Sequence, residues 1–278
     1  MASAFKLFDA ACFGKHPLAQ PVIGTRRNIE RLSRADLVVA AAGAIDPEAI
    51  VREAEACFGS MAPGTPNPLS APTWLGGARA KSQAGSSQSH LVLGFPVPAR
   101  QADDPTATLA AALRGEGMSS PLMDQLREQR GLVYYAARSA DVIDSAGQFV
   151  IEASTSPAQL AECLGALAAL LREQAERVSG DDLARAKNQI QVRRLRGLEK
   201  SGRRIEEAAL DLLVLGRLRP RQEGLDRLQA VSAEQVRSAF AAMLGAGAAL
   251  ALTGRVARGG SERAQRILGD AGLLLPAL

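Results

Sequence analysis

The chain has 278 residues, 47% apolar and 22% charged, a balance that can fill a sizeable core and excludes a disordered chain. Its net charge of +4, from 33 basic and 29 acidic residues, is too slight to argue for a nucleic-acid partner. Aromatic residues are only 4%, so the core has to be built from Leu, Ala, Val and Ile, and the length suits two domains better than one.

From the N-terminus, residues 4–14 read as helical or irregular. Met1 to Gly14 lacks a basic region followed by a long apolar one, so no secretory signal is expected and a cytoplasmic location is. Pro17 and Pro21 punctuate a loop. The run Leu37 to Ala42 reads as a buried strand ended by Gly43. It is far shorter than the ~18 residues of a membrane span. Asp46-Pro47 opens a helix, with Asp at the cap and Pro at the first helical position. Ile50, Val51, Ala54 and Phe58 form its apolar stripe. Residues 63–87 are rich in Pro and Gly and read as a linker. They divide a first part, residues 1–62, from a second domain, residues 88–278.

In that second domain a strand is expected over 90–95 and a helix from Thr106. Gly115 to Ser120 breaks the helix, and another runs from Pro121 to Gln129. Strands over 132–137 and 148–154 join through a turn near Asp144 to Gly147. Ser156-Pro157 caps a long helix whose Leu160, Cys163, Leu164, Leu167, Leu170 and Leu171 recur at helical spacing. A helical stretch over 181–217 breaks near Gly197 and Gly202. Helices near 221–230 and 232–244 and a strand over 248–253 follow. Few strict βαβ repeats occur, so the expected fold class is α+β, a mixed or antiparallel sheet flanked by long helices.

Little in the chain suits metal or nucleophilic chemistry. His16 and His90 are the only histidines, far apart, and three convergent ligands are needed for zinc. Neither a G-x-S-x-G elbow nor a C-x-x-C pair occurs, and Cys12, Cys57 and Cys163 read as buried free thiols. The Gly115–Ser120 loop lacks the G-K-[ST] ending of a phosphate cradle. The basic run from Arg193 to Arg204 has acidic neighbours and no stacking aromatics, so it reads as a solvated helix face.

The remaining candidates are Arg127 and Tyr134, seven residues apart around Gly131. A guanidinium and a phenol are fixed donors suited to holding a peptide carbonyl. An exposed helix-end Arg and a strand Tyr are the plainer reading of the same pair. The flanks favour the first. Leu126 to Tyr135 resembles the R-E-x-x-G-L-x-Y run of the pitrilysin or insulinase group of zinc peptidases, which includes the bacterial processing peptidases. Gly115 to Ser120 resembles the group's G-x-G-M-S-S segment, and Ser145 to Phe149 its d-x-G-x-F segment. Asp182 to Lys187 resembles its E-L-x-R-A-K element, and His16-Pro17-Leu18 its h-P-l segment, where His16 is structural.

The resemblance implies a pitrilysin-type α+β fold, with residues 1–62 closing a zinc-type first domain and the rest forming the substrate-holding second domain. It implies that Arg127 and Tyr134 hold the backbone of a peptide substrate. H-x-x-E-H is absent from the sequence, so this chain is expected to carry no cofactor and to be inactive alone. Zinc would come from the complete enzyme or a partner subunit in a homo- or hetero-oligomer. The group also contains non-catalytic scaffold subunits, the alternative function.

Overall fold

The computed structural model describes residues 2–20, 39–60, 70–115 and 120–273. They form two compact units. The first comprises Met1–Pro21, Ala71–Ile190 and Asp226–Leu278, and the second Val22–Ser70 and Gln191–Leu225.

The first unit is built on a five-stranded sheet. Its strands are β1 (Gly77–Ser82), β2 (Ser89–Val97), β3 (Tyr135–Val142), β4 (Gly147–Thr155) and β5 (Ala249–Gly254), in the spatial order β1-β5-β2-β4-β3. β1 runs parallel to β5, and the other neighbours are antiparallel. The sheet is therefore mixed, as the order of elements in the sequence implied.

Strand alternation sorts side chains to two faces. Leu91, Leu93 and Phe95 of β2, Phe149 and Ile151 of β4, and Leu250 and Leu252 of β5 enter the larger core. Helices Thr106–Gly115, Leu160–Glu176, Ala233–Ala246 and Gly260–Asp270 cover that side. The leucine stripe expected after Ser156 is buried there, with Cys163, Leu164, Leu167, Leu170 and Leu171 all inside. On the opposite face Val92, Val150, Ala249 and Ala251 meet α1 (Ala2–Phe13) through Ala4, Phe8, Ala11 and Cys12. Alanines on β5 let α1 lie close. Gly94 goes further, because a Cβ there would stand 2.4 Å from Phe8 Cζ, so only glycine admits the ring.

In the second unit, α2 (Pro47–Phe58) starts as expected, with the Asp46 side chain accepting from Glu48 N at 3.0 Å and Pro47 in the first turn. The break near Gly197 and Gly202 is real, since helix Gly180–Leu198 stops before Ser201–Leu215. The carboxylate of Asp211, itself buried, takes both Arg219 Nε and Nη2 at 2.8 and 2.6 Å.

Several sequence expectations need correction. The described part of the supposed strand, residues 39–42, is exposed and irregular, and a run of small alanines offers little apolar area to bury. Leu37 and Val38 lie outside the described residues, as do residues 116–119 of the Gly115–Ser120 loop. α2 buries none of its apolar stripe. β1 lies within the stretch read as linker. Gly-Ala-Arg-Ala-Lys-Ser has no apolar alternation to mark a strand, because this edge strand is buried only at its first two residues. The strand placed over 132–137 begins at Tyr135. Helix Gly260–Asp270 adds to the expected elements, and Cys57 is exposed because it rides on unburied α2.

Candidate functional site

Arg127 and Tyr134 stand at the two ends of one connection between helix and strand. Ser120 starts it, its Oγ accepting from Met123 N at 3.3 Å, with Pro121 opening the helical turn Pro121–Met123. The chain then widens into a π turn over Asp124–Glu128, closed by Gln129 N donating to Asp124 O at 2.9 Å. Such widened turns cluster at functional sites. Leu122, Met123 and Leu126 are buried, which fixes the turn on the core. The Arg127 side chain is 45% exposed, and its Nε lies 3.6 Å from Glu128 Oε1, a loose surface contact.

Gly131 reverses the chain with φ +61°, a left-handed value that glycine adopts without strain. Leu132 N then reaches back to Leu126 O at 2.7 Å. Two side chains hold the carbonyls that follow. Gln159 Nε2 donates to Gly131 O at 2.8 Å, and Thr155 Oγ1 to Leu132 O at 2.6 Å. Leu132 and Val133 are buried, and Tyr134 N donates to Ser154 O at 2.9 Å. Tyr134 therefore has a fixed backbone, and the residue stays 55% exposed. Both candidates thus offer donors to solvent from a turn whose backbone is tied down at several points.

Sequence reasoning missed the polar row beside this turn. Register places Thr253 opposite His90, His90 opposite Ser154, and Ser154 opposite Tyr135, all on the sheet face that carries α1. Tyr135 OH donates to Glu152 Oε1 at 3.0 Å. Burial first, and then that carboxylate, raise the phenol's pKa. Burial lowers the pKa of His90, whose Nδ1 is buried without a hydrogen-bond partner. Alternation alone could have put these side chains on one face, but only register puts them in one row.

His16 caps a turn. Its Nδ1 accepts from Leu18 N at 3.3 Å and starts the short turn Pro17–Ala19. Burial pushes the Cys163 thiol up to about 12 and the Cys12 thiol up as well, so neither is a ready nucleophile. Among the described residues no three His, Cys, Asp or Glu side chains converge as metal ligands, so these residues do not fit a zinc centre. Nor is any described helix long and apolar enough to cross a membrane.

Comparison with known proteins now bears on this geometry. The family profile described as the peptidase M16 inactive domain matches residues 30–190. A protein of Mycobacterium leprae named as an uncharacterized zinc protease is 29% identical over 255 residues, 83% of this chain and 56% of its own length. Another of that name from Streptomyces coelicolor is 30% identical over 275 residues, 89% of this chain and 59% of its own. The chain thus spans somewhat under three fifths of the length of these relatives. Among solved structures, a peptidase M16 inactive domain from Pseudomonas fluorescens superposes with a TM-score of 0.75 at 20% identity, covering 92% of this chain and 65% of the other. At that identity the likeness speaks for the fold.

Proposed function

Because the chain belongs to the peptidase M16 inactive-domain family, the pitrilysin-type group its motifs resemble, we propose that it is the substrate-holding half of a zinc peptidase. Arg127 and Tyr134 hold the backbone of an extended peptide. The guanidinium donates to a peptide carbonyl, and the phenol donates to the same group or to the oxygen that gains charge during hydrolysis. Zinc and the general base belong to a zinc-bearing half outside this chain, which alone is inactive. The observation that carries this reading is the anchored turn, with both donors exposed at its ends.

Peptide binding by the purified chain tests it without requiring activity. With a fluorescein-labelled unstructured peptide, anisotropy should show Arg127→Ala and Tyr134→Phe each weakening binding by about tenfold, the worth of one charge-assisted or well-placed hydrogen bond. Circular dichroism should stay unchanged, since both side chains are solvent-exposed. Equal affinity for all three proteins would refute the holding role and leave the scaffold reading.

A further inference from the structure

Several arginines of the first unit are matched by carboxylates. Arg130 pairs with Glu162, Arg185 with Asp182, and Arg227 with Asp103. Arg79 and Lys81 of β1 pair with none among the described residues. Ala78 enters the larger core, so strand alternation turns Arg79 and Lys81 to the face that carries α1. Register then sets Lys81 opposite Thr253, and Thr253 opposite His90. The His90 ring leans over β5 toward β1, since its Cδ2 would stand 3.2 Å from a Cβ at Gly254.

Two atoms of this group lack partners. Arg79 Nε and His90 Nδ1 are both buried without a hydrogen bond. Buried polar groups are nearly always paired, so each exception calls for an explanation. The carboxylate in these two rows, Glu152, is three strands from Arg79 and already accepts from Tyr135 OH. Two cations and an imidazole thus surround one threonine with no anion among them, a donor set that suits a carboxylate.

The row continues past His90 through Ser154 to Tyr135, the neighbour of Tyr134. From Lys81 to Tyr135 it crosses four strand spacings, about 19 Å at ~4.8 Å each. An extended peptide covers that span in about five or six residues. We propose that Arg79, Lys81 and His90 form an anion subsite for an acidic side chain of the peptide held at Arg127 and Tyr134. The proposal rests on the peptide-holding reading and adds a preference to it. The guanidinium and the ammonium donate to the carboxylate, and a neutral imidazole with its hydrogen on Nδ1 adds a third donor.

Anisotropy of the full chain with an unstructured peptide of about ten residues, long enough to span the row, tests it. The peptide carries a neutral dye and an amidated C-terminus, with a single glutamate in one form and glutamine in its place in the other. The glutamate form should bind about tenfold more tightly. Arg79→Gln with Lys81→Gln should bring the two forms to equal affinity and leave the glutamine form bound as before, which a misfolded variant could not do. Inorganic phosphate should displace the glutamate form only at millimolar concentration. Displacement at micromolar phosphate would assign the site to a free phosphate and overturn the peptide assignment. No difference between the two forms, or a difference that survives the double substitution, would overturn the subsite. Arg127→Ala should weaken both forms by the same factor. If it changes neither while the glutamate preference stands, holding at the turn fails and the anion subsite remains.

Discussion

Replacing Gly131 separates backbone strain from steric clash at the turn that carries Arg127 and Tyr134. Its φ is +61°, and a Cβ built there meets no heavy atom within 4 Å. An alanine is therefore charged only with the left-handed conformation, about 1–2 kcal/mol. Asparagine tolerates that region better, and a β-branched valine tolerates it worst. The expected order of stability is Gly, Asn, Ala, Val. In a chain of this size each kcal/mol moves the midpoint by roughly 2–4 °C, so alanine should lower Tm by roughly 2–8 °C. Thermal and urea unfolding followed by far-UV circular dichroism would read this. Peptide affinity should fall in the same order, because a turn that relaxes its φ disturbs the carbonyls held by Gln159 and Thr155. A valine variant as stable as the asparagine one would refute the strain argument.

Two further outcomes follow from the fold. Gly94→Ala should destabilise by about 1–3 kcal/mol, since the new methyl would press on Phe8 and lie 2.9 Å from Phe149 O, which the β2–β4 ladder holds. Combined with Phe8→Leu the loss should be smaller than the sum of the single losses. Strict additivity in a urea double-mutant cycle would contradict the close contact. Asp9 on α1 has its carboxyl raised from 3.8 to about 6, by burial first and by Asp141 second. A raised carboxyl means that the folded state binds the proton more tightly, so this stabilising share is present below pH ~4 and is lost as pH rises through 6. Asp9→Asn should flatten the stability profile between pH 4 and 6, as measured by urea midpoints, and a profile unchanged by the substitution would remove Asp9 as its source.

Much of the architecture was legible along the chain because the signals are local. The leucine spacing of 160–171, the Asp46-Pro47 cap and the glycines near 197 and 202 each act within a few residues, and the structure keeps all three. The apolar runs of β2 and β4 likewise belong to the strands themselves. Errors arose where the outcome depends on distant partners. Residues 39–42 look buried only if another strand meets them, whereas Gly77–Ser82 looks like linker until β5 pairs with it.

The candidate site divides in the same way. Sequence determined Arg127, Gly131 and Tyr134 and their spacing, because a reversal from helix to strand needs its glycine at one place. It also determined that H-x-x-E-H is missing. Tertiary structure alone decided that Leu126, Leu132 and Val133 are buried while Arg127 and Tyr134 are exposed, and that Gln159 and Thr155 hold the turn. It alone aligned Thr253, His90, Ser154 and Tyr135 across four strands. Register is set by pairing between separate strands, β2 and β5 among them lying far apart in the chain, and no local pattern encodes it.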